Sequence, residues 1–240
     1  MSRSRPTDTL TNPATRWHEW NGEKGCLRYY DKDAKQNVDV PLPFAFLLLD
    51  QLGSVGGWHE PTQSGIYSNE VRDTRQDALV VKAFKQSQGP LIEGIYSQIK
   101  DRLATLGGQF VSVCYVAYKR DGQLVIGGLK FKGAALGAWM DFTKAHRADL
   151  YKGAVEVTGF TEGKKGRVIF RAPTFAVRPV STETQHAAIA LDEELQAYLT
   201  AYLARTTRDR VDTAHVGQGE PTDELVYDTV SAPTADDIPF

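Results

Sequence analysis

From Trp17 onward the chain runs in short stretches whose spacing of apolar and polar residues predicts an element. Trp17 to Asn21 and Cys26 to Asp31 read as strands about the turn Gly22-Glu23-Lys24-Gly25, and Asn37 to Pro41 as a third. Phe44 to Leu52 is apolar and continuous, which predicts burial. Gly53 to Gly65 is rich in Gly, Pro and Ser and reads as a long loop carrying Trp58. Ala78 to Lys85 sets Lys82 and Lys85 among apolar residues and reads as a strand. Ile95, Ile99, Leu103 and Leu106 mark one face of a short helix that Gly107-Gly108 ends. Phe110 to Lys119 is the clearest strand signal. The tight-turn pair Asp121-Gly122 leads it into a return strand, Leu124 to Lys132. Gly127-Gly128 within that strand predicts a bulge, a bend or the close approach of another backbone. Ala134 to His146 reads as a helix. Ala154 to Thr161 and Arg167 to Val177 read as a second hairpin around the basic turn Glu162-Gly163-Lys164-Lys165-Gly166. Asp192 to Arg205 reads as a terminal helix with Leu195, Leu199 and Tyr202 on one stripe.

After Thr206 the apolar periodicity stops, and Pro, Gly, Thr and acids give the composition of disorder. The expected organisation is therefore a flexible arm over 1–15, a folded body over 16–205 and an acidic tail over 206–240. Curved hairpins, one helix between strands and a terminal helix predict a mainly β body with added helices. An OB-like, partly open β-barrel fits that pattern first, and a mixed α+β sandwich second.

Composition narrows the chemistry. In 240 residues no apolar run approaches the roughly 20 needed to span a bilayer. The polar start lacks the apolar core of a secretory signal, so a cytoplasmic location is expected. Cys26 and Cys114 are far apart, and the five histidines form no HExxH or His/Cys cluster. Gly159 to Lys165 lacks the spacing of a phosphate loop, and no nucleophile elbow surrounds Ser54 or Ser112. No enzymatic activity, cofactor or metal is expected.

The net charge of −2 hides a division. Seven acids and no Lys or Arg follow Arg210, so the first 210 residues carry −2 + 7 = +5. Between Val113 and Arg178 twelve Lys/Arg face five Asp/Glu. A basic body with an acidic end points to a polyanionic partner. Single-stranded nucleic acid needs cations along its phosphates and flat rings against its bases. The strands interleave the two: Tyr115, Tyr118, Lys119 and Arg120; Lys130, Phe131 and Lys132; Phe160, Lys164, Lys165, Arg167, Phe170 and Arg171. With Trp58, Lys82 and Lys85, the cations and tyrosines of these groups are the candidate DNA-binding residues. On the second hairpin, period-2 alternation puts Arg167, Ile169 and Arg171 on one face and Val168 and Phe170 on the other.

The last residues, Asp236-Asp237-Ile238-Pro239-Phe240, resemble the acidic C-terminal tip of the bacterial single-stranded DNA-binding protein family. The resemblance implies a protein that coats single strands with little sequence preference and recruits replication, recombination and repair proteins through this tip. Phe240 would enter an apolar pocket on the partner, Pro239 would limit the ordering cost, and Asp236 and Asp237 would meet a basic rim. The body is longer than the family's OB domain and the linker is short, which suggests a phage or mobile-element version, as a possible homo-oligomer. The alternative is a recombination or annealing protein carrying the same tip.

Overall fold

The computed structural model describes residues 11–86, 89–205, 207 and 210. Over these the chain is mainly β, with eleven strands in one open, unclosed sheet and three α-helices. The strands are β1 (Trp17–Asn21), β2 (Cys26–Asp31), β3 (Gln36–Val40), β4 (Phe44–His59), β5 (Ser64–Ser68), β6 (Ala78–Ala83), β7 (Ile92–Ile95), β8 (Gly108–Arg120), β9 (Gln123–Phe131), β10 (Ala154–Lys165) and β11 (Val168–Arg178). The helices are α1 (Tyr96–Thr105), α2 (Gly133–Ala145) and α3 (Thr182–Leu203).

The sheet runs β3-β2-β1-β9-β8-β4-β5-β6-β7, with β10 on β4 and β11 on β10. β1 pairs parallel to β9, and every other named pair is antiparallel. β4 is the hub. One of its edges carries β8 from Phe46 to Gly57. The other carries β10 at Phe44 to Phe46 and β5 at Gly56 to His59. Two groups of strands thus leave the same edge of β4 at opposite ends.

β8 explains why its sequence is apolar throughout. Side chains alternate across a strand, and here both faces are covered. Phe110, Cys114, Val116 and Tyr118 join the cluster that contains Phe131 of β9, Leu103 of α1 and Trp139 of α2. Val111, Val113 and Tyr115 join Leu52 and Ile126 beneath Leu195, Tyr198, Leu199 and Tyr202 of α3. Asp121 and Gly122 both have positive φ, +53° and +83°, which two-residue hairpin turns of this strand twist require.

The long loop expected over Gly53 to Gly65 is instead the second half of β4, a short 3-10 turn at Glu60–Thr62, and the start of β5. Its glycines serve close contact rather than turning. A Cβ on Gly57 would lie 2.1 Å from the carbonyl oxygen of Gly107, where β4 passes the end of α1. Gly127-Gly128 has a similar cause: a Cβ on Gly128 would lie 2.1 Å from the ring of Trp17, its partner on the adjacent parallel strand β1. Residues Asn12 to Arg16 also run beside the sheet, with Thr15 N–H donating to Ile126 O at 3.0 Å and Gly128 N–H to Arg16 O at 2.9 Å. α3 begins ten residues before the expected helix, capped by Ser181, whose Oγ accepts from Thr184 N–H at 3.2 Å.

Candidate nucleic-acid interface

β10 is held to β4 only at Val155 to Val157. Beyond that point β10 and β11 continue as a two-stranded ribbon to a two-residue turn, Gly166-Arg167. The turn is tighter than the five-residue one expected, because β10 runs on to Lys165. The register opposes Glu162 to Arg171, Gly163 to Phe170, Lys164 to Ile169 and Lys165 to Val168. Directly opposed residues share a face. One face therefore carries Phe160, Glu162, Lys164, Ile169 and Arg171, and the other carries Lys165, Val168 and Phe170.

Arg171 fixes the ribbon to the body. Its N–H donates to Gly22 O at 2.8 Å and its carbonyl accepts from Trp20 Nε1 at 2.7 Å. Its guanidinium donates to Glu23 O, pairs with Glu162 at 3.3 Å and lies 5.3 Å from the Phe160 ring centre. Beside this anchor (Phe160) and beyond it (Val168 and Ile169), apolar side chains face solvent. Phe160 is 44% exposed, Val168 47% and Ile169 55%, which makes three of the five large exposed hydrophobics of the described residues. Lys164, Lys165 and Arg167 are exposed among them. Clustered apolar surface facing water marks a contact site for another molecule, and the interleaved cations favour an anionic one.

The other sequence-selected residues fall elsewhere. Tyr115 and Tyr118 are core residues, at 0% and 3% exposure, and offer no ring face to a ligand. The cause is that both faces of β8 are covered. Tyr115 donates its hydroxyl to Glu70 Oε2 at 2.8 Å, and Tyr118 packs on His18 and Phe44. Lys119 is exposed and Arg120 half-buried, with Arg120 Nη1 donating to Thr15 Oγ1 at 3.2 Å. Lys130 and Lys132 belong to a charged cluster on the β1–β9 seam. Lys132 pairs with Glu19 at 3.6 Å, and the Lys130 ammonium lies 5.1 Å from the Trp17 ring centre. Burial lowers the Lys130 pKa, with Glu19 and Glu70 opposing it. Burial works against the Glu19 carboxylate too, but Lys132, Lys130 and Arg28 outweigh it and hold that pKa below its ordinary value. These two lysines thus neutralise partly buried acids instead of forming a separate positive stripe.

Trp58, Lys82 and Lys85 come together far from the ribbon, near the end of β4. The pairing sets Trp58 opposite Gly65 and Tyr67 opposite Lys82. Lys85 Nζ donates to Gln63 O at 3.1 Å. Tyr67 and Phe84, with ring centres 4.6 Å apart, complete the group. Sequence reading missed Tyr67 because Ser64–Ser68 is too short a strand to show a period, and Phe84 because only the pairing of β5 with β6 brings it beside Tyr67.

The tip residues Asp236, Asp237, Ile238, Pro239 and Phe240 lie outside the described residues. Among the described residues no cluster of His, Cys, Asp and Glu can hold a metal ion, and no helix is long and apolar enough to cross a membrane. No family model, curated protein or solved structure matches this chain.

Proposed function

We propose that this protein binds single-stranded DNA without strong sequence preference and recruits replication, recombination or repair proteins through Asp236 to Phe240. One observation carries the first half: the β10–β11 ribbon presents Phe160, Val168 and Ile169 to solvent beside Lys164, Lys165 and Arg167. On one face the Phe160 ring and Ile169 lie with Lys164, and on the other Val168 lies with Lys165, so the ribbon offers an unpaired strand both apolar contact for bases and neutralisation for phosphates. Duplex DNA offers no free base face, so the apolar component favours single strands.

The connectivity supports an OB-like reading of the body. β4, β8 and β9 lie side by side and antiparallel, with β5 to β7 and α1 inserted between β4 and β8 in the chain; α2 follows, and the β10–β11 hairpin returns to pair with β4. In an OB-fold the second and third strands and the loop of the last hairpin contact oligonucleotides. Here the outer face of β8 and β9 lies under α3, which leaves the hairpin as the element able to do so.

The ribbon is tested by replacing Lys164, Lys165 and Arg167 with Glu and titrating fluorescent oligo-dT. Affinity is expected to fall at least about tenfold. The slope of log K against log salt should become shallower by about 2, at about 0.7 per phosphate contact on a single strand. Affinity equal to wild type would refute the reading. For the tip, deletion of Asp236 to Phe240 is expected to abolish binding of partner proteins while single-strand binding holds or tightens. Loss of DNA binding on that deletion would contradict it.

A further inference from the structure

We infer a second single-strand contact on the face shared by β4, β5 and β6, with Trp58 and Phe84 as base-contacting rings and Lys82 and Lys85 as phosphate contacts. This rests on the single-stranded DNA reading above and extends it to a site separate from the ribbon.

The face follows from the register. Trp58 opposes Gly65, Gly56 opposes Tyr67, and Tyr67 opposes Lys82, so Trp58, Tyr67 and Lys82 project to one side. Val80 and Glu93, opposed on β6 and β7, lie on the same side. Tyr67 is 8% exposed and forms the floor, packed with Val80 and Phe84. Trp58 and Phe84 are half-buried on its flanks, so part of each ring reaches solvent. Leu52, six residues before Trp58 on this face of β4, is already covered by α3 in a cluster that does not include Trp58. The sheet face therefore continues past the helix as a surface of rings with a lysine among them. Lys82, the register partner of Tyr67, brings a cation beside these rings. Lys85 adds a second positive charge, tied to the β4–β5 turn through Gln63. Glu93 is the acid on this face and Glu60 lies at its rim, both exposed. Within a body of net +5, rings beside lysines suit an unpaired nucleic acid strand.

The two surfaces are far apart. The ribbon leaves β4 at Phe44 to Phe46 and the second face begins at Trp58, a separation of roughly 45 Å along an extended strand. A short oligonucleotide can reach one surface, and a long one can engage both. The second contact then acts as an intramolecular event that raises affinity for long strands alone.

The experiment titrates full-length protein with oligo-dT of about 8 and about 30 nucleotides, spanning the roughly 4–16 nucleotides covered by one OB-fold. Lys82→Glu/Lys85→Glu is expected to bind the long strand about tenfold more weakly, with a salt slope reduced by about 1.4. Its binding of the short strand is expected to stay within about twofold of wild type, since the ribbon is intact. Trp58→Phe, the milder change, is expected to remove part of the tryptophan quenching seen with the long strand, and circular dichroism confirms that both variants are folded. Wild-type affinity and quenching in both variants would overturn the second site and leave the ribbon reading standing. A wild-type protein that binds neither strand would overturn the underlying reading and this site with it.

Discussion

Tyr115 shows how local pattern and tertiary cover part company. In the sequence it stands among strand residues next to a basic hairpin end, where a stacking ring is expected. In the fold α3 lies over it, and its hydroxyl becomes a buried hydrogen-bond donor. Glu70 accepts that hydroxyl at 2.8 Å, Asn12 Nδ2 donates to it at 3.2 Å, and the Tyr202 hydroxyl accepts Glu70 N–H at 2.8 Å. Burial raises the pKa of the Glu70 carboxyl, and the Tyr115 hydroxyl opposes that rise. Tyr115→Phe removes the donor and leaves the carboxyl under-satisfied, at a cost of about 1–3 kcal/mol. The expected result is a lower urea midpoint with oligo-dT affinity unchanged. A fall in affinity at unchanged stability would mean that the Tyr115 hydroxyl serves DNA binding and not only the buried Glu70. The cations of the ribbon were legible because exposed hairpin residues answer to local sequence. The roles of Lys130 and Lys132 were not, because Glu19, 3.6 Å from Lys132 in space but distant in sequence, decides them.

At the scale of elements, the β1–β2 and β8–β9 hairpins were readable from alternation and turn chemistry, which are local. The second half of β4 was not, because glycines that usually mark a loop here permit backbones to approach. Gly57→Ala tests that explanation. Its new Cβ would meet the Gly107 carbonyl, backbone that cannot rotate away, and overpacking of this kind costs about 1–3 kcal/mol. Thermal unfolding is expected several degrees below wild type. An unchanged midpoint would mean that β4 and the end of α1 are not pressed together. The first half of α3 was also hidden. Thr182 to Ala190 offers little apolar periodicity, and the helix is carried there by its Ser181 cap and by Ala188 alone among buried residues.

For the whole molecule, the open sheet sends two groups of strands from opposite ends of β4, and each carries rings beside cations. The first 210 residues carry +5 and the last 30 carry −7, so the charge is divided along the chain. Neither the architecture of the open sheet nor the second face was visible in the sequence, since both depend on pairings between distant strands. The central claim is that this positive body holds unpaired strands. Its most direct test is titration of the wild-type protein with fluorescent oligo-dT and with a duplex of equal length, repeated across salt concentrations. The account predicts clearly tighter binding of the single strand and a steep loss of that binding as salt rises. Equal affinity for the two, or no binding to either, would contradict it.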